Sequence, residues 1–330
     1  MTRSEREQAF LVADVGATWV RAAVARGGTL GEIVRRRVAD LPTDPSSGIV
    51  DGIVAALAAA RAAWSGPAPE ACGIGIATVV DAAGSLQRSL AFGVPRGPVL
   101  RDRAAEALGV PVAVDNDANM AALGEAAHGA GRGRSDLVVV TLGTYIGMGV
   151  IAGGRLVHGA RGGAGEIGEV LVPAREVDPG EAGPRAVRSE RFGTGSTSAP
   201  EGYAFIEDLA GGSALSQALA TARSAHGGVA SKPPRVLREA AAGDPVALDV
   251  VRTGIEGWAW VVATAATVLD PEMVVISGGI SGDLAPFLDT LRRRVSAMTR
   301  QEPEVVIGEL GDTGGLHGAQ EAARGLVGGG

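Results

Sequence analysis

One plan of strand, tight turn, strand and glycine pair occurs twice in the chain, and this duplication constrains the fold more than any other feature. The first copy runs through an apolar strand at 9–13, the turn Asp14-Val15-Gly16-Ala17-Thr18, a β-rich stretch at 19–26 and the pair Gly27-Gly28. The second runs through 137–140, Thr141-Leu142-Gly143-Thr144, a strand ending at Ile151 and the pair Gly153-Gly154. Gly143 follows Gly16 by 127 residues, and Gly153 follows Gly27 by 126. Solenoid units are only ~20 to 50 residues long, so a repeat at this spacing means duplicated domains. A length of 330 residues, about twice that of a common domain, agrees.

Around the two copies, strands alternate with helices. The pattern predicts helices over 47–64, 100–108 and from Asn116 onward, with strands over 73–77 and 110–114. After the second copy it predicts helices over 213–225, 234–242, 245–269, 286–298 and 316–327, and strands over 273–276 and 304–307. Residues 173–202 show no period and read as a long loop. Such alternation is the mark of an α/β fold. Only 3% of the chain is aromatic, so a core must come from Ala, Val, Leu and Ile, with 51 Gly allowing close backbone approach.

Charge and cysteine content remove several function classes. The net charge is −7 and Lys232 is the only lysine, which speaks against a nucleic-acid partner and excludes a Walker P-loop. Cys72 stands alone, so no disulfide or cysteine-based metal site can form within one chain. The apolar run after the charged N-terminus is too short for a signal peptide, and the longest apolar stretch, 258–269, falls well below the ~20 residues of a membrane span. A cytoplasmic protein with no membrane partner is expected. The four histidines, His128, His158, His226 and His317, show no ligand spacing and read as turn or surface residues.

Five segments carry candidate chemistry. In Asp14-x-Gly16-x-Thr18, glycine lets the backbone approach an anion, the hydroxyl and N–H groups donate to phosphate oxygens, and the carboxylate can hold a hydrated Mg²⁺. Gly143-Thr144-x-x-Gly147 repeats that design, and the two loops could clamp a polyphosphate from both sides. In Asp115-Asn116-Asp117-Ala118-Asn119 a strand hands over to a helix, where Asp117 is either an acidic cap or a base at the ligand-binding end of a sheet, with Asn116 beside it. Glu166 and Glu169 follow a glycine run and would share a face on a helix or tight turn, as sugar-binding carboxylates or as a solvated acidic turn. Ser277-Gly278-Gly279 ends an apolar strand in a shape that admits a base or ribose, or is an ordinary strand-to-helix turn.

Taken in order, these segments resemble the ROK family of sugar kinases and repressors, within the actin-like ATPase and hexokinase superfamily. The resemblance covers nearly the whole chain. It is carried by Asp14-Val15-Gly16-Ala17-Thr18, by Asn116-Asp117-Ala118-Asn119 with Glu125, by Leu142-Gly143-Thr144 with Gly147 and Gly149, by Ala164-Gly165-Glu166-Ile167-Gly168, and by Ser277-Gly278-Gly279. It implies two duplicated actin-like ATPase (ribonuclease H-like) domains flanking a central cleft. One domain would hold 1–115 plus 315–330, and a larger one 116–314 with the nucleotide and dimerisation regions.

It further implies transfer of the γ-phosphoryl group of ATP to a sugar hydroxyl. Asp117 would be the base, Asn116, Glu166 and Glu207 would hold the sugar, and Asp14 would hold Mg²⁺ through water. Gly16, Thr18, Gly143, Thr144, Gly147, Gly278 and Gly279 would bind the nucleotide, in a homodimer.

The chain departs from the family pattern in ways that bear on substrate and metal. Glu169 stands where the family carries His, which would favour an acceptor with an extra hydroxyl or an ammonium group, such as an amino sugar or cyclitol. The cysteine-rich zinc motif is absent, Phe205 falls at its last Cys, and no zinc is expected, with packing by Tyr203 and Phe205 in its place. Ala17, Tyr145 and Met148 occupy positions where Gly is usual. Two other readings stay open: a non-catalytic sugar-sensing or scaffolding relative, though only eight residues precede the first strand and leave no room for a DNA-binding helix-turn-helix, and a carboxylate kinase, for which Arg161 alone could bind the acid.

Overall fold

The computed structural model describes residues 8–42, 48–87, 96–177, 199–224 and 233–327. The chain divides into two compact units, Met1–Ser135 with Gly149–Gly165 and Asp312–Gly330, and Asp136–Met148 with Glu166–Gly311. The first unit begins with β1 (Ala9–Val15), β2 (Trp19–Arg26), β3 (Thr29–Leu30) and β4 (Val34–Arg37). It continues through α1 (Gly48–Ala63), β5 (Ala71–Ile76), α2 (Val99–Leu108), β6 (Val112–Asn116) and α3 (Asp117–His128). The second unit opens at β7 (Leu137–Leu142), and β8 (Ile146–Ala152) and β9 (Arg155–Leu156) lead the chain back into the first. The rest of the second unit is β10 (Leu171–Pro173), α4 (Ala174–Val177), β11 (Tyr203–Phe205), α5 (Ile206–Ala210), α6 (Gly212–Ser224), α7 (Pro233–Ala241), α8 (Pro245–Leu269), β12 (Met273–Ser277), α9 (Leu288–Met298) and β13 (Glu304–Ile307). The last helix, α10 (Gly314–Val327), belongs to the first unit.

The duplication read from the glycines is a duplication of topology. One sheet runs β3-β2-β1-β5-β6, with β4 also paired to β2, and the other runs β9-β8-β7-β12-β13. In each, three parallel strands adjoin a hairpin, β1–β5–β6 in one and β7–β12–β13 in the other. The glycine pairs sit at matching two-residue turns with positive φ throughout, 59° and 85° at Gly27 and Gly28, 56° and 74° at Gly153 and Gly154. Of the two-residue hairpin turns, type I′ has positive φ at both central residues, which glycine adopts without steric cost.

All seven residues of β1 are buried, because the first sheet is covered on both faces. Successive side chains point to opposite faces. Leu11, Ala13 and Val15 join Ile53, Leu57 and Leu100 from α1 and α2, whereas Phe10 and Val12 join Met120, Leu316 and Ala319 from α3 and α10. Each buried Leu, Ile or Phe contributes ~1.5–3 kcal/mol.

The contact between α3 and α10 is made through glycine. A Cβ at Gly124 would overlap the carbonyl of Gly314, and one at Gly318 would overlap that of Met120. The sequence division begins the second domain at residue 116, but this close approach packs α3 into the first unit.

In the second unit α8 has the limits its sequence dictates. Asp244 caps it by accepting from Ala247 N at 2.8 Å, Pro245 opens it, and Asp270 ends it in the left-handed region with φ 46°. No helix among the described residues is long and apolar enough to cross a membrane.

The aperiodic stretch 173–202 is partly ordered. β10 pairs antiparallel with β11, Pro173 opposite Tyr203, and α4 follows β10, while 178–198 and His226 lie outside the described residues. Tyr203 does not replace a metal by burial, as expected of it. It is 50% exposed, because strand alternation turns Ala204 inward instead.

Candidate active site

The first unit presents two sets of candidate side chains on one sheet. In the β1–β2 hairpin the N–H of Gly16 donates to Trp19 O at 3.0 Å, which closes the loop Gly16-Ala17-Thr18. Val38 N donates to Thr18 O at 3.0 Å and secures its far side. Asp14 is 6% exposed and pairs with Arg21 at 2.6 Å. Burial raises the Asp14 carboxyl above its ordinary range, against the opposing pull of Arg21. Arg21 also binds the carbonyl of Asp312 and its carboxylate at 3.1 Å. Sequence reasoning overlooked Arg21, although antiparallel register places it directly opposite Asp14.

Two strands away, β6 ends in Asp115 and Asn116, and α3 begins at Asp117. Asn116, not Asp117, is the cap. Its side-chain oxygen accepts from Ala118 N at 2.8 Å and Asn119 N at 3.3 Å, and its amide donates to Thr78 O at 3.0 Å. Asp117 is thereby held at the first helical position, at the carboxyl end of a parallel strand, where open α/β sheets present catalytic groups.

Beneath it lies a feature that histidine spacing concealed. Asp115 accepts from Asn116 N at 2.7 Å and from the Asn119 side chain at 2.9 Å through one oxygen, and its other oxygen meets His158 Nε2 at 2.7 Å. That bond raises the His158 imidazole above its ordinary pKa. His158 is therefore a paired side chain and not a simple surface residue. His128 and His317 are likewise not turn residues: their rings lie 5.3 Å apart, His128 bonds Glu321 at 2.6 Å, and His317 is 9% exposed on α10. Pairings of this kind come from helices packing across long sequence separations, which motif spacing does not register.

In the second unit the loop Gly143-Thr144-Tyr145 joins β7 to β8. Gly143 N donates to Tyr145 O at 3.1 Å. The carbonyls of Gly143 and Thr144 accept from Gly212 N at 3.0 Å and Ser213 N at 3.1 Å, at the start of α6. These donors are among the N–H groups that a helix leaves unsatisfied at its first turn. In a trans peptide N–H and C=O point in opposite directions, so the N–H groups of Thr144 and Tyr145 aim away from α6. Gly147 lies within β8 rather than in the loop.

Glu166 precedes a single 3₁₀ turn, Ile167–Glu169, closed by Glu169 N donating to Glu166 O at 3.1 Å. Glu166 is the N-cap, with φ −71° and ψ 52°, and Glu169 is the last residue of the turn, so the two carboxylates flank one short turn. Glu207, at the start of α5, is 3% exposed, and its Oε2 lies 2.9 Å from where a Cβ on Gly168 would be. That glycine is what lets the third carboxylate approach the turn. At the end of β12, Gly278 has φ 94°, and a Cβ there would come within 2.6 Å of Leu142 O. Gly279 has nothing within 4 Å of its Cβ position. Among the described residues no group of three or more His, Cys, Asp or Glu side chains could hold a metal ion.

The model of the ROK family matches residues 11–325. The chain belongs to the ROK family. A glucokinase of Streptomyces coelicolor is 32% identical over 94% of this chain and 96% of its own. The bifunctional enzyme NanE/NanK of Brucella melitensis is 34% identical over 95% of this chain, which spans about half the length of that relative, 53%. Among solved structures, a ROK family glucokinase from Streptomyces griseus in complex with glucose and AMPPNP shares 30% identity and a TM-score of 0.74, over 96% of this chain and 99% of that one. The fold of this ROK chain is thus α/β and actin-like ATPase in type.

Proposed function

We propose that this ROK protein is an ATP-dependent sugar kinase, transferring the γ-phosphoryl group to a hydroxyl, the primary one, of a hexose, amino sugar or sugar-like cyclitol. The observation that carries the reading is the corner at β6 and α3, where a capped helix start holds Asp117 at the carboxyl end of a parallel strand in a chain of this family. Asp117 takes the proton of the attacking hydroxyl. Asn116, Glu166, Glu169 and Glu207 bind the acceptor. The loops with Gly16 and Thr18, and with Gly143 and Thr144, hold the phosphates, joined by Gly147, while Gly278 and Gly279 receive the adenosine.

The glycines fit a nucleotide unequally. Cβ positions at Gly16 and Gly143 have their nearest neighbours at 3.8 and 4.0 Å, and Gly279 has none within 4 Å, so the missing side chains there leave backbone open to a ligand. Gly278 is needed by the fold itself, where β12 crosses Leu142. Mg²⁺, when bound with ATP, neutralises charge on the β- and γ-phosphates. Asp14 suits it through water, since Arg21 already engages one carboxylate oxygen and no further acid or histidine among the described residues completes a direct site.

Glu169 directs the choice of acceptor. At the other end of the turn that Glu166 caps, it adds a second carboxylate that accepts from a hydroxyl or, in a charge-assisted bond, from an ammonium. An amino sugar or cyclitol is therefore a better acceptor than glucose. The test is ADP release measured over a panel of hexoses, amino sugars and cyclitols beside D117N. The expected result is turnover that favours an acceptor other than glucose and falls by about 10²–10⁴ in the variant. Ligand binding without ADP release from any acceptor would replace this reading with that of a non-catalytic sugar sensor.

A further inference from the structure

The kinase reading employs Asn116, Asp117 and Glu166 but leaves the Asp115–His158 pair unassigned. Asp115 is 9% exposed, and both its oxygens are engaged: one by the backbone N–H of Asn116 and the side chain of Asn119, the other by His158. An ion pair placed at a strand end could be simple reinforcement. Its position says more, because each partner borders a different acceptor-binding element. Asp115 immediately precedes Asn116 and is bonded to it. His158 opens the segment His158-Gly159-Ala160-Arg161-Gly162-Gly163-Ala164-Gly165, which leads directly into Glu166.

That segment is glycine-rich and gains its shape from few anchors. Gly159, Gly162 and Gly165 have φ of 73°, 78° and 89°, and Ala164 N closes the loop by donating to His158 O at 3.1 Å. Gly162 rests against Val80, whose carbonyl a Cβ there would overlap. The entry of the segment is held by the His158 imidazole on Asp115. Fixing such a glycine-rich segment costs conformational entropy, and a charge-assisted side-chain bond at its entry offsets part of that cost before the acceptor arrives.

We propose that His158, held by Asp115, is a positioning residue for acceptor binding: it ties the loop that ends at Glu166 to the strand end that carries Asn116. The proposal rests on the kinase reading for the identity of the acceptor. In the first sheet β5 lies between β6 and β1, so the pair stands apart from the Gly16 hairpin, and the ATP KM is expected to change less than the acceptor KM.

The test is steady-state kinetics for both substrates with H158A, H158Q and D115N, together with calorimetric titration of the best acceptor, which does not depend on turnover. In H158A the acceptor KM and the calorimetric Kd rise about tenfold, the equivalent of one charge-assisted hydrogen bond, while kcat and the ATP KM stay within about twofold. H158Q, whose amide N–H can donate to Asp115, recovers most of the acceptor affinity, and D115N behaves like H158A. Unchanged acceptor affinity in H158A, or a parallel loss in kcat and both KM values not rescued by Gln, overturns the proposal. Wild-type protein that binds the acceptor but releases no ADP overturns the kinase reading instead, and the calorimetric comparison still decides the role of His158.

Discussion

The two glycine loops share a sequence plan but are supported by different physics. The loop at Gly16 is organised around charge: Asp14 is buried against Arg21, Arg21 reaches on to Asp312, and the start of α10 lies so close that a Cβ on Gly315 would meet the Asp14 carboxyl at 3.0 Å. The loop at Gly143 is organised around the backbone, its carbonyls turned onto the first N–H groups of α6 at 3.0 and 3.1 Å. One loop places a carboxylate, and the other places peptide N–H groups. The two copies of one topology thus differ in what supports the loop, a buried ion pair in one and backbone hydrogen bonds to a helix start in the other.

Substitutions at the charged loop have the largest expected effect. D14N lowers kcat/KM by about 100-fold or more, the scale on which one electrostatic group counts in a transition state. Thermal denaturation of the same variant shows no loss of Tm. Burial disfavours the ionised carboxyl in the folded chain, so the neutral amide removes a cost of folding. A fall in Tm alongside activity would make Asp14 structural and dissolve the contrast between the loops.

The backbone loop is sharpened by two glycines that look alike in sequence. G143A raises the ATP KM about tenfold, as for one lost hydrogen bond of ~1.4 kcal/mol, and leaves Tm unchanged, since its new Cβ finds nothing nearer than 4.0 Å. G278A instead destabilises the fold by ~1–3 kcal/mol, because it forces a side chain to φ 94° and onto the Leu142 backbone, 2.6 Å away. Urea denaturation of both separates the two roles.

The smallest effect concerns pH and belongs to the charged loop's support alone. On α10, His317 is held below the ordinary imidazole pKa by burial and by His128, against the opposing charge of Glu321. Its folded pKa lies below the unfolded value of ~6.5, so the unfolded chain binds the proton more readily, and stability falls as pH drops below ~6.5. Because His158, with its raised pKa, contributes the opposite slope, the test is the difference between wild type and H317N in melting curves from pH 7.5 to 5.5, where H317N should lose less stability on acidification.

Much of the fold was legible because the signals are local. Strand β2, helix α8 and strand β13 fall on the residues predicted, since Gly pairs, an Asp-Pro start and alternating apolar runs act within a few positions. The segments β4, β10, β11 and α5 were not legible: Val34-Arg35-Arg36-Arg37 has no alternation, and its strand exists only because the β2 edge supplies partners. Within the site, the loops and the Asn116-Asp117 corner announce themselves as motifs. Arg21 required knowledge of hairpin register, and His158 required knowing that a loop 43 residues downstream returns to Asp115.

The sequence by itself determined the duplication, the turns, the helix limits and the residue types at each loop, for these follow from φ preferences, capping and periodicity over a few residues. Only the tertiary structure decided that α3 packs into the first unit, that Gly278 serves the fold while Gly279 stays open, and that Asp115 holds a histidine. Those outcomes depend on which surfaces meet across long stretches of chain, and burial, register and hydrogen-bond partners are properties of that meeting.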